Sequence, residues 1–327
     1  MSDFSIIVGD ALKNLQAMPG DSVDCCVTSP PYFGLRDYGH EGQMGLEPTP
    51  DAYVAAMVEV FREVRRVLKP SGTLWLNLGD TYTPVNYGVN SKRRRDCEGC
   101  ESTIQGKAGH WHSDRDGARS ARLYHGCKSE GLKQKDLIGI PWRMAFGLQS
   151  DGWWLRCDMI WEKNCMPESV KDRPTRNHEY VFLLSKAERY HCDMKAIEED
   201  GAVAAGTRAA KGANVRSDLK DVNGRPSEYW EYTGKRNKRS VWKVNTQPFK
   251  GAHFAVMPEA LVEPCILAGC PEGGLVLDPF LGSGTVGVVA LRHFRRFIGI
   301  ELNPAYAEMA QKRMGAFPPS LPFVRAV

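Results

Sequence analysis

Residues 274–301 constrain the fold more than any other stretch. The run Gly274-Leu-Val-Leu-Asp-Pro-Phe-Leu-Gly-Ser-Gly-Thr-Val-Gly287 leads through Val288-Val-Ala-Leu291 to Arg295-Arg-Phe-Ile-Gly-Ile-Glu301. Leu275 to Leu277 is continuously apolar, the pattern of a strand covered on both faces. Gly282 and Gly284 let the backbone approach a ligand, and a helix beginning near Val286 turns its N–H end toward the same point. Phe297 to Ile300 supplies the next strand, which ends on a carboxylate placed to accept ribose hydroxyls. Strand, glycine turn, helix and strand in this order specify an α/β fold: a doubly wound, mostly parallel, Rossmann-like sheet with a nucleoside site at its strand ends.

Gly282-x-Gly284-x-x-Gly287, with an acid about 20 residues beyond, also fits a dinucleotide site, so a nicotinamide oxidoreductase is a competing reading. Asp278 argues against it. A carboxylate at the strand end repels a pyrophosphate but suits a cationic amino acid group. S-adenosylmethionine carries an ammonium and a sulfonium and no phosphate, and is the favoured cofactor.

The second feature is Thr28-Ser29-Pro30-Pro31-Tyr32, which ends the apolar run Val23-Asp-Cys-Cys-Val27. Two prolines donate no N–H and continue neither sheet nor helix, so a strand stops here on a rigid corner whose carbonyls are expected to point outward unpaired. Ser29 and the Pro30 carbonyl are acceptors, and Tyr32 brings an aromatic face beside them. An exocyclic amino group on a planar base satisfies all three. An ordinary Pro-Pro turn is the plainer alternative.

With both motifs in hand, the chain resembles the amino-methylating DNA methyltransferases, which modify cytosine N4 or adenine N6. Thr-Ser-Pro-Pro-Tyr is similar to their catalytic motif and Asp-Pro-Phe-Leu-Gly-Ser-Gly-Thr to their cofactor motif. Catalytic motif first and cofactor motif last is the circular permutation of the beta class. The resemblance extends to residues 73–80, 152–161, 178–184 and 251–258. It implies catalytic roles for Ser29, Pro30, Pro31 and Tyr32, and cofactor contacts from Asp10, Asp278, Phe280, Gly282, Ser283, Gly284, Thr285 and Glu301. Phe254 and Pro258 match a segment lying along the methionine moiety. Ser at the first catalytic position is more typical of cytosine N4 enzymes, which makes cytosine the expected target and adenine N6 the runner-up. An RNA or protein amine methyltransferase is more remote.

The implied mechanism follows from the electronics of an aromatic amine, whose lone pair is delocalised into the ring. Hydrogen bonds to Ser29 and the Pro30 carbonyl would draw the nitrogen toward tetrahedral geometry, ready for in-line attack on the sulfonium methyl. Serine is a weak base, so the proton leaves after transfer. A base inside a duplex must be flipped out, and Tyr32 is expected to stack on it, with Phe33 a core residue.

Composition bounds the rest. At 327 residues and 42% hydrophobic, the chain accommodates a large core plus inserts. No run nears the ~20 apolar residues of a membrane span, no signal pattern opens the chain, and the ten cysteines are scattered, so a cytoplasmic protein with reduced thiols is expected. The net charge is only +4, but residues 206–243 hold ten Lys or Arg against four acids, with Tyr229, Trp230, Tyr232 and Trp242 interleaved. Such a segment suits phosphate neutralisation and base stacking. Residues 83–130 open on Lys92-Arg-Arg-Arg95 and contain Cys97-x-x-Cys100, His110, His112, His125 and Cys127. Cys97 and Cys100 with Cys127 and one histidine offer a tetrahedral zinc set as an alternative. Lacking a second Cys-x-x-Cys, the stretch reads instead as a basic Gly- and Arg-rich loop, and no metal is expected.

The expected organisation is a catalytic half over 1–82, a basic insert over 83–135, a continuation over 136–195, target recognition over 196–245 and a cofactor half over 246–327. Double-stranded DNA is the expected partner, with no membrane. The sequence leaves open a cognate restriction endonuclease, and monomer or homodimer. Tyr53 to Leu68 is expected as a crossover helix burying Val54, Met57, Val58, Phe61, Val64 and Leu68, stopped by Lys69-Pro-Ser-Gly72 before strand Thr73–Leu78. Asp80 suits either the active cleft or a helix cap.

Overall fold

The computed structural model describes residues 3–35, 40, 42–83, 131–164, 170–201, 234–246 and 256–316. Its strands are β1 (Phe4–Val8), β2 (Val23–Thr28), β3 (Leu68–Leu78), β4 (Trp154–Glu162), β5 (His178–Ser185), β6 (Glu199–Asp200), β7 (Lys235–Arg236), β8 (Val241–Lys243), β9 (Leu275–Asp278) and β10 (Arg296–Glu301). Its α-helices, here numbered consecutively, are α1 (Ala11–Ala17), α2 (Pro50–Val67), α3 (Ile140–Ser150), α4 (Glu259–Gly269), α5 (Thr285–Arg292) and α6 (Pro304–Gly315). Among the described residues the main sheet has eight strands in the order β1-β10-β9-β2-β3-β5-β4-β8. From β1 to β3 all pairings are parallel; β5 runs antiparallel to both β3 and β4.

The sheet reverses its winding between β9 and β2. From β2 the chain crosses through α2 to β3 on one side, and from β9 it crosses through α5 to β10 on the other. Right-handed crossovers in opposite directions put the helices on opposite faces. Accordingly Leu15, Met57, Phe61 and Met144 of α1, α2 and α3 share one core, while Leu261, Ile266, Val289 and Met314 of α4, α5 and α6 share another. The reversal point is where a crevice opens beyond the carboxyl ends of the strands.

Helix α2 is set by its ends as much as by its face. Thr49 caps it by accepting from Ala52 N, Pro50 occupies the first turn, and Arg65 and Arg66 lie in the last turn. The buried stripe is Tyr53, Met57, Val60, Phe61, Val64 and Val67, so the face is rotated from the expected one and Val54 and Val58 are only half-buried. Nor does Lys69-Pro-Ser-Gly72 stop the helix ahead of the strand. Leu68 already pairs with Val23, Thr73 with Cys25, and the segment between is accommodated as a bulge, pinned by Lys69 to Asp24 at 2.7 Å.

Other readings are resolved side by side. Cys25 and Cys26 are free and fully buried. Phe33 packs in the core, its ring 5.5 Å from that of Tyr53. Asp80 takes the capping alternative, accepting from Gly139 N and Ile140 N at the start of α3 at 3.0 and 3.1 Å. Trp242, expected to face DNA, is instead a core residue of β8: it is buried, its ring lies 6.4 Å from Trp75, and its indole N–H is spent on the Arg239 carbonyl. Part of the basic cluster around it is neutralised locally, Lys235 by Asp200 and Arg236 and Arg239 by Glu199. Cys97, Cys100, Cys127, the three histidines near them, Tyr229, Trp230, Tyr232 and Phe254 lie outside the described residues. Among the described residues no helix is long and apolar enough to cross a membrane.

Candidate active site

Strands β2 and β9 are neighbours in register, Cys25 opposite Val276 and Cys26 opposite Leu277. Their ends therefore deliver the diproline corner and the glycine turn to one place. The junction is direct: the Thr28 hydroxyl donates to Asp278 Oδ1 at 2.7 Å, both groups buried. A cavity of about 420 Å³ opens over them, lined by Ser29, Pro30, Pro31 and Tyr32 from one strand end and by Asp278, Phe280, Gly282, Ser283 and Thr285 from the other. Asp10 and Glu301 also reach it.

On the β2 side only one of the two proline carbonyls is uncommitted. The Tyr53 hydroxyl donates to the Pro31 carbonyl at 2.8 Å, which corrects the expectation that both are unpaired. The Pro30 carbonyl accepts no hydrogen bond among the described residues. Ser29 Oγ contacts Tyr32 Oη at 3.3 Å. The Tyr32 phenol has two acceptors within reach, Glu179 Oε2 at 2.7 Å and Asn77 Oδ1 at 3.0 Å. Burial, with Glu179 second, pushes the phenol well above its usual range, so it stays a neutral donor. Gly79, at the end of β3, makes room for the ring: a Cβ there would lie 2.5 Å from it.

Residue types alone did not single out Asn77, Trp161, Lys163 and Glu179, yet all four line the cavity. Asn77, Trp161 and Glu179 each belong to a stretch that resembles the family, and Lys163 lies two residues past the end of one. Asn77 also carried a signal of its own, a polar side chain interrupting the apolar run of β3, where it is 2% exposed.

On the β9 side, Asp278 is 2% exposed, and its Oδ1 accepts from Thr28 and from Phe280 N. Burial pushes its carboxyl up to about 7 against the pull of those two bonds. Gly284, the residue before α5, is left-handed at φ 80°, and a Cβ there would meet Ala310 at 2.8 Å; it shapes the turn and does not line the cavity. Ser283 is fixed by Arg313, which donates to its carbonyl at 2.6 Å and its hydroxyl at 3.0 Å. Glu301 braces the turn, accepting from Gly282 N on Oε2 at 2.7 Å and from Asn303 N on Oε1 at 2.9 Å. Asp10 caps α1 by accepting from Lys13 N at 2.9 Å, and Pro258 precedes α4 without lining the cavity.

This donor set fits a cationic nucleoside. Two carboxylates on the cavity wall suit its ammonium and sulfonium and oppose a pyrophosphate at Asp278, while the N-terminus of α5 suits the carboxylate of an amino acid group. The profile of the N6/N4 DNA methylase family matches residues 23–312. The chain belongs to that family.

Two curated members span nearly its whole length. Type II methyltransferase M.SmaI of Serratia marcescens is 47% identical over 310 residues, 94% of this chain and 90% of that protein. M.Cfr9I of Citrobacter freundii is 45% identical over 95% of this chain and 87% of its own. The fold is shared with PvuII DNA methyltransferase (cytosine-N4-specific) at a TM-score of 0.60 and 18% identity, covering 98% of this chain and 89% of that one. It is shared as well with M1.HpyAVI in complex with SAM, at a TM-score of 0.51 and 16% identity over 95% and 99% of the two chains. This N6/N4 methylase is a Type II DNA methyltransferase, and S-adenosylmethionine is its methyl donor.

Proposed function

We propose that the enzyme methylates the N4 amino group of a cytosine flipped out of duplex DNA. The observation that supports this most strongly is the uncommitted Pro30 carbonyl beside Ser29, on the wall of a cavity that also holds the buried Asp278. Asp278, Glu301 and the turn at Gly282–Thr285 would hold the donor, which when bound supplies a methyl group activated on a sulfonium. Ser29 Oγ and the Pro30 carbonyl each accept one N–H of the base, withdrawing the nitrogen lone pair from the ring and fixing its direction. As nitrogen gains a carbon, the carbon–sulfur bond breaks and the amine becomes cationic. Its surplus proton then passes along the bond to the Pro30 carbonyl or to water. Glu179 is a poor candidate for that proton, because Tyr32, Asn77 and Lys163 all donate to its two oxygens.

Cytosine is favoured over adenine by the serine at the head of the Ser-Pro-Pro-Tyr corner. Tyr32 lines the pocket as a stacking face, its phenol anchored and its ring fitted against Gly79. A cognate restriction endonuclease is the corresponding partner, since the relatives bear Type II names. The test is to incubate the enzyme with genomic DNA and labelled S-adenosylmethionine and resolve the nucleosides by mass spectrometry. N4-methylcytosine at one mapped sequence is the expected product; N6-methyladenine overturns the choice of base. Ser29→Ala should keep donor binding while turnover falls about 100-fold or more.

A further inference from the structure

Lys163, Glu179, Asn77 and Trp161 share the cavity with Ser29–Tyr32, yet the transfer step gives Lys163 no task. Glu179 is fully engaged: Oε2 accepts from Tyr32 at 2.7 Å and from Asn77 Nδ2 at 3.2 Å, and Oε1 accepts from Lys163 Nζ. It serves as the anchor of the group. The Lys163 side chain is only 16% exposed and lies over the Trp161 ring at 4.3 Å. That ring is itself fixed, its N–H donating to the Val244 carbonyl at 2.8 Å. Of the three ammonium protons one goes to Glu179, and no other acceptor for them occurs among the described residues. A largely buried ammonium with two spare donors on a cavity wall calls for acceptors on a ligand.

The rest of the wall has the opposite polarity. Ser29 Oγ and the Pro30 carbonyl are acceptors and take amino hydrogens. A base bound there offers its amino group to one side and turns the remainder of the same edge toward other groups. In cytosine that remainder is N3 and the carbonyl O2, two acceptors in a row. In adenine it is N1 followed by a C–H. We propose that Lys163, clamped by Glu179 and seated on Trp161, donates to N3 and O2 of the flipped base and so selects a pyrimidine amine over a purine amine. The assignment rests on the cytosine reading above and gives that reading a specificity residue.

The experiment uses the full chain and duplexes carrying the mapped target, with either cytosine or an analogue lacking the 2-carbonyl oxygen at the methylated position. Affinity is read by fluorescence anisotropy. The unmodified enzyme is expected to prefer cytosine by about tenfold or more, the worth of a hydrogen bond from a charged donor. Lys163→Met should bind both duplexes within about twofold of each other, with affinity for S-adenosylmethionine unchanged. The double variant Lys163→Met/Glu179→Gln removes both charges, avoids stranding a carboxylate, and should show the same loss of preference. Retained preference in both variants overturns the proposal. So does equal weakening of both duplexes, which marks a phosphate contact, or weakened donor binding, which marks a contact to the donor's carboxylate. Failure of the cytosine reading itself registers separately, as N6-methyladenine in the nucleoside assay.

Discussion

Asp278 joins the two halves of the proposed site through the buried hydroxyl of Thr28. Its pKa is raised by burial to about 7, and in the proposed site the donor's ammonium would favour the ionised form. Affinity for S-adenosylmethionine should therefore climb as pH rises from 5.5 toward about 7 and level off above, at up to ~tenfold per unit, with proton release on binding. Titration calorimetry in buffers of different ionisation enthalpy checks this, and Asp278→Asn should weaken binding and flatten the profile. For folding the sign is reversed. A carboxyl raised in the native state contributes stability that is present below its unfolded pKa and is lost as pH rises through about 7. Thr28→Val removes the 2.7 Å bond that favours the charged form, so the midpoint of the binding profile should move to higher pH, and Thr28→Ser should restore it.

At the scale of elements, the end of β3 determines where Tyr32 sits. Gly79→Ala would place a carbon 2.5 Å from the ring, and turnover should drop by about 100-fold while donor affinity holds, as single-turnover rates and titration would show. Unchanged turnover would mean the ring position is immaterial. This coupling also shows what the sequence could reveal. The diproline corner, the glycine turn and strands β2, β9 and β10 were legible because local chemistry dictates them: a missing N–H, a positive φ, a continuous apolar run. The burial of Trp242 and the rotated face of α2 were not, because each depends on a neighbour distant in the chain. Trp242 meets Trp75, and a basic surrounding sequence gives no hint of it. Glu179 and Lys163 were hidden for the same reason, since neither becomes part of a site until β3, β4 and β5 lie side by side.

Among the described residues the eight-stranded sheet lies between two apolar layers, with its cleft at the seam. A ligand bound across that seam stabilises both layers at once. S-adenosylmethionine at 100 times its dissociation constant should raise unfolding free energy by about 2.7 kcal/mol, seen as an upward shift of one thermal transition, while NAD should leave it in place. The residues joined at the seam, Thr28 and Asp278, stand 250 positions apart. A ribosome adding about 5–20 residues per second needs on the order of tens of seconds to deliver the second after the first. Until then the β2 edge that pairs with β9 is bare, and the proposed amine-binding corner has no proposed donor site beside it. A prematurely terminated copy is therefore expected to lack methyl transfer to DNA, and its exposed edge to invite chaperones and proteases.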